Sequence, residues 1–118
     1  MKNIFIIVCF LIQIAGCKDI FEKDITRDKV TIISPKDDIK PYGDSIKFVW
    51  EILDGADEYH ITIVSPNFDT IQQYIHDVKT IENRFTLFLN EGKYEWSVQA
   101  FNFGYESMKS RQQFRVLK

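Results

Sequence analysis

The chain reads as an all-β protein: an antiparallel sandwich of about seven strands behind a short N-terminal leader. From Val30 onward, apolar residues recur at every second position in several short runs, and Pro, Gly, Asn or Asp stands in most of the breaks between runs. That period and punctuation belong to strands with one face buried and one face wet. No segment there holds a helical apolar period long enough to serve as a crossover, so a parallel α/β sheet is not expected. A length of 118 residues with 14% aromatic content suits one small domain whose core rests on a few large rings.

The elements follow in order. Lys2 precedes an apolar run from Ile4 to Ile14, interrupted only by Gln13, and Ala15-Gly16 then supply small residues. This is the layout of a secretory signal peptide over residues 1–16. The run is too short for a spanning helix, which needs roughly 20 apolar residues. Lys18 to Asp28 mixes charges of both signs around isolated Ile20, Phe21 and Ile25, so residues 17–29 read as a charged tether. The folded domain is expected over residues 30–118. Val30 to Ser34 is a β-branched run stopped by Pro35, and Lys36 to Asp44 is turn-rich. Ser45 to Trp50 places Ile46, Phe48 and Trp50 on one face, and Glu58 to Val64 does the same with Tyr59, Ile61 and Ile63. Thr70 to Ile75 is a weaker strand, followed by a polar stretch from His76 to Glu82. Asn83 to Leu89 carries Phe85, Leu87 and Leu89 on one side. After the turn Asn90-Glu91-Gly92, the run Lys93 to Phe101 points Tyr94, Trp96, Val98 and Ala100 inward, and Arg111 to Leu117 closes the domain with Phe114 and Val116. The expected inward stripe is therefore Trp50, Tyr59, Leu87, Tyr94, Trp96 and Val98.

Two stretches resemble known families. Ile14-Ala15-Gly16-Cys17, closing the apolar leader, resembles a bacterial lipobox. The resemblance implies cleavage before Cys17, diacylglycerol on its thiol and acylation of the new amino terminus. Cys9 would leave with the leader, so the mature domain would hold no disulfide. Trp50, Tyr59 and the string from Leu89 to Asn102, with its Gly92-Lys93-Tyr94-Glu95-Trp96-Ser97-Val98-Gln99-Ala100 centre, resemble a fibronectin type III domain, an immunoglobulin-like sandwich. The resemblance implies that the Tyr94 hydroxyl bonds backbone a few residues upstream as a tyrosine corner. Taken together, the chain is similar to Bacteroidota-type outer-membrane lipoproteins that carry one such domain. Lys18 is not the Asp that favours inner-membrane retention, so the implied location is the outer membrane, at the cell surface or on the periplasmic face.

Enzymatic function is not expected. His60 and His76 are the only histidines, and no metal-ligand spacing, nucleophile elbow or phosphate-binding glycine loop is present. His60 falls on the wet face by phase. Asp37-Asp38 reads as a solvated turn rather than a calcium site, and the implied topology gathers Glu51, Asp54, Asp57, Asp77 and Glu106 toward one end without a dense ligand set. No cofactor is expected. The formal charge of −2 lacks the basic face that nucleic acid requires.

What remains is binding. Phe103 and Tyr105 flank Gly104 in the loop between the last two strands, and Phe68 sits in the Ser65-Pro66-Asn67 break. Loop aromatics of this kind are candidate anchors for a glycan or a protein. Asp69-Thr70-Ile71 and Asp44-Ser45-Ile46 resemble the Asp-Ser/Thr-apolar O-glycosylation site of exported Bacteroidota proteins, making Thr70 and Ser45 candidates. The expectation is a lipid-anchored, non-catalytic envelope module, capturing glycan through exposed aromatics or serving as a protein-interaction scaffold subunit of an outer-membrane assembly. In the implied topology the first strand starts at the end holding Phe103 and Tyr105. The lipid on Cys17 would then draw that end toward the membrane and leave Phe68 facing outward.

Overall fold

The alternation seen in the sequence becomes seven strands in a computed structural model that describes residues 22–40 and 45–118. They are β1 (Ile32–Ser34), β2 (Ser45–Trp50), β3 (Glu58–Pro66), β4 (Ile71–Thr80), β5 (Arg84–Phe88), β6 (Gly92–Phe101) and β7 (Ser110–Val116). All pair antiparallel, in a three-stranded sheet ordered β1-β2-β5 and a four-stranded sheet ordered β4-β3-β6-β7. This is the expected immunoglobulin-like, fibronectin type III sandwich, with no helix among the described residues. Cys17 and the stretch read as a signal peptide, residues 1–16, lie outside those residues.

Register puts the apolar stripes face to face. Ile46, Phe48 and Trp50 of β2 are fully buried, opposite Ile61, Ile63, Trp96 and Val98 of the larger sheet. The centre is aromatic. Phe48 stacks on Phe85 at 4.8 Å and meets the Trp96 ring edge-on at 5.0 Å, while Trp50 contacts Tyr59 at 5.6 Å. Tyr94 stacks on Phe114 at 5.5 Å, and its hydroxyl donates to the Asn90 carbonyl at 2.7 Å, the expected tyrosine corner. Burial pushes the Tyr94 phenol pKa up, because the anion would lose water.

Three boundaries differ from the sequence reading. First, β4 runs ten residues, through the stretch read as polar. Register pairs His76 with Ile63 and Val78 with Ile61, so His76 turns inward and stacks on Phe85 at 5.1 Å. Pairing with β3 and a stacked imidazole outweigh weak local apolar content here. Second, part of the turn-rich stretch after Pro35 is ordered by sheet pairing. Ile39 makes a parallel bridge to Val116, with its N–H on the Arg115 carbonyl and its carbonyl on the Leu117 N–H, both at 2.8 Å.

Third, the tether does not extend through residue 29. Ile25 is fully buried in the core and Val30 nearly so. The Asp28 carbonyl accepts from the Met108 N–H at 3.0 Å, and Lys29 bridges Met108 in parallel. A single apolar residue flanked by charges reads as solvated in one dimension. In three dimensions Lys23, Asp24 and Arg27 stay exposed while the turn between them delivers Ile25 to the sandwich.

Candidate functional site

The connections after β2 (residues 51–57), β4 (81–83) and β6 (102–109) meet the entering N-terminal segment at one end of the sandwich. Asn102 ties three of these together. Its amide nitrogen donates to the Lys23 carbonyl at 2.7 Å and the Gly55 carbonyl at 3.0 Å, while its carbonyl accepts from the N–H groups of Gly104 at 3.1 Å and Tyr105 at 2.8 Å. Every hydrogen-bonding group of that side chain is therefore engaged. The loop after β4 joins through the Asn83 carbonyl, which accepts from the Trp50 N–H at 3.2 Å. Gly55 has φ +90°, and a Cβ there would fall 2.9 Å from Lys23 Cδ and 3.2 Å from Ile25 Cγ2. Only glycine allows both that backbone and so close an approach. Lys23 donates to Asp54 at 2.9 Å, and this hydrogen bond and charge hold the Asp54 carboxyl below its usual range.

Phe103 stands at the tip of this end, 88% exposed, with Tyr105 beside it at 38%. Phe68 belongs to the opposite end. Its ring is half-buried under the Arg111 guanidinium, 5.0 Å from the ring centre, and its N–H donates to Glu95 at 2.8 Å. Phe68 is thus less open than the sequence implied, because a cation on the outer face of β7 covers it. The three aromatics do not share a surface. Thr70 and Ser45 are both exposed, and the Thr70 N–H donates to Asn67 Oδ1 at 2.8 Å.

The polar candidates have local partners. Asp38 accepts from Arg115 through both oxygens, which lowers its pKa and commits it as an ion-pair partner. His60, on the outer face as expected, pairs with Asp77, which also accepts from Thr62 at 3.4 Å. Among the described residues no three His, Cys, Asp or Glu side chains converge as a metal site would require.

Two further features escaped the sequence reading. A groove of about 720 Å³ lies at the Phe68 end, lined by Lys36, Asp38, Asn67, Lys93, Gln113 and Arg115. Tyr94 and Phe114 also border it but are almost fully buried, so it offers no open ring face. The other feature is β4, which closes one margin of its sheet and, among the described residues, bonds only to β3. Ile71, Tyr74 and Val78 are exposed along it, Tyr74 at 63%. On the same flank β5 ends the other sheet, with Phe88 exposed.

No protein-family model matches the chain, and no curated protein matches it. Solved structures do. A fibronectin(III)-like module of Clostridium thermocellum CbhA is 17% identical, covering 74% of this chain and 94% of its own, with a TM-score of 0.53. The fn3 domain of human collagen alpha-1(XX) is 18% identical over 75% of this chain and 81% of its own, with a TM-score of 0.55. Domains d3-d4 of rat CD45 are 13% identical over 80% of this chain and 52% of their own, with a TM-score of 0.60. At such identities the likeness is one of fold.

Proposed function

We propose that the chain is a lipid-anchored, non-catalytic binding module of the outer membrane, held through Cys17, and that its partner is a protein taken along the open edge of β4. The observation that carries this is the edge itself. Among the described residues this ten-residue strand is bonded on one side only, which leaves main-chain donors and acceptors for an added strand, and exposed Ile71, Tyr74 and Val78 add side-chain contacts along it. Glycan capture by loop aromatics would need rings on a common face, whereas Phe68 and the Phe103–Tyr105 pair stand at opposite ends. A glycan would instead have to use the polar groove around Lys93 and Asn67.

Site-specific photocrosslinking in cells tests the reading. A crosslinker at Gln73, on β4, is expected to give one discrete protein adduct, lost when Tyr74→Lys and Ile71→Lys charge the edge. Both residues are exposed, so the substitutions should leave folding within about 0.5 kcal/mol of the parent. Adducts from Lys93 but not from Gln73 would move the site to the groove and sink the edge reading.

A further inference from the structure

We infer that the end of the sandwich where the chain enters is a lipid-contacting surface, with Phe103, Ile52 and Ile81 as its apolar tips and a zwitterionic bilayer surface as its occupant. This rests on the reading of Cys17 as the lipid attachment. The three tips are the most exposed large hydrophobic residues among those described, at 88%, 74% and 79%. Scattered exposed apolar residues are ordinary on a soluble domain. These three come from three separate loops, after β2, β4 and β6, and stand at the same end. Met108 and Tyr105 are exposed there as well. None of the three tips belongs to the core, so packing does not account for them.

That end is also where the N-terminal segment is fastened, through Lys23 to Asp54 and Asn102 and through Ile25 in the core. From Glu22 back to Cys17 the chain can span at most about 18 Å when fully extended. A lipid on Cys17 therefore keeps this end, not the groove end, within reach of the headgroups. The loops are held in place by Asn102 and the Trp50–Asn83 bond, so the tips are preset and little ordering is needed on contact. Charge selects the lipid. Glu51, Asp57, Glu82 and Glu106 are exposed in the same loops and outnumber the exposed Lys109 there, so an anionic surface would repel the end that the tips draw in.

The test uses the chain from Cys17 onward, its single thiol coupled to maleimide-lipid in phosphatidylcholine vesicles. Trp50 and Trp96 are fully buried, so a tryptophan placed at a tip reports separately from them. Phe103→Trp, Ile52→Trp and Ile81→Trp are each expected to be quenched by shallow brominated lipid at least about twice as strongly as Phe88→Trp, which sits at the far end, consistent with burial of a few ångströms into the interface. Adding phosphatidylglycerol should reduce that quenching. Tip quenching no greater than at Phe88→Trp, or quenching that appears only with anionic lipid, would overturn the inference. Because the coupling is chemical, the result stands apart from the anchor itself. That is decided by fractionating cells carrying Cys17→Ser, where unchanged membrane association and mature mass would end the lipid reading.

Discussion

Two tryptophans face each other across the core, 6.1 Å between ring centres, and their polar atoms fare differently. Trp96 Nε1 donates to the Pro35 carbonyl at 3.2 Å, whereas Trp50 Nε1 is buried with no partner among the described residues. A buried donor without an acceptor carries a desolvation cost, and a paired one does not. Trp96→Phe is therefore expected to destabilise the fold by about 1–2 kcal/mol more than Trp50→Phe, read from urea unfolding midpoints. Trp96→Ala should cost roughly 3–5 kcal/mol. Equal losses for the two Phe variants would show that the Pro35 bond contributes nothing. Period-two alternation revealed that both rings point inward, but it held no information about which indole would find a carbonyl. The Trp96 partner lies sixty-one residues away in sequence. Asn102 is a similar case. It ended the family-like string, yet two of its four bonds depend on where Lys23 and Gly55 arrive.

At the scale of elements, sequence legibility followed the strength of the local period. β2, β3 and β6 alternate cleanly, and their inward residues are those expected. β4 does not, because Gln72, Gln73, His76 and Asp77 dilute its pattern, and only pairing with β3 makes ten residues of strand. The N-terminal segment was the hardest to read. Charge on both sides of Ile25 signalled solvent, while the feature that docks it, Gly55 with room for Ile25 and a positive φ, lies in another loop. Ile25→Ala is expected to destabilise the domain by about 2–5 kcal/mol, and Gly55→Ala by about 1 kcal/mol or more through both backbone strain and contact with Lys23. Both should also speed amide exchange at Gly104 and Tyr105, whose N–H groups hang on Asn102. Effects below about 0.5 kcal/mol at both sites, the range of ordinary surface changes, would restore the segment to a tether.

For the whole molecule, a lipid on Cys17, as proposed, would make the short lead to the docked segment decide orientation. A tether running to residue 29 would let the domain tip over, and either end could then meet a large partner. With Ile25 in the core and the Lys23 carbonyl on Asn102, the slack falls to about 18 Å. The ten residues of β6 then hold the opposite end roughly 30 Å further out. A protein-sized label should reach the Asn90–Gly92 turn and the Phe68 loop readily and reach the loop of Phe103 poorly. On vesicles with Cys17 coupled to lipid, a short biotin-acceptor tag after Glu91 is expected to bind streptavidin several-fold faster than the same tag after Gly104. Inserting about 20 Gly/Ser residues between Asp19 and Glu22 adds a mean reach of roughly 25 Å, comparable to the length of the sandwich, and should bring the two rates together. The comparison separates tether length from local structure, because the insertion leaves Lys23, Ile25 and every described contact in place. Equal rates before the insertion would mean that the domain already turns freely. A difference that persists after it would place the protection in the loop itself rather than in the anchor.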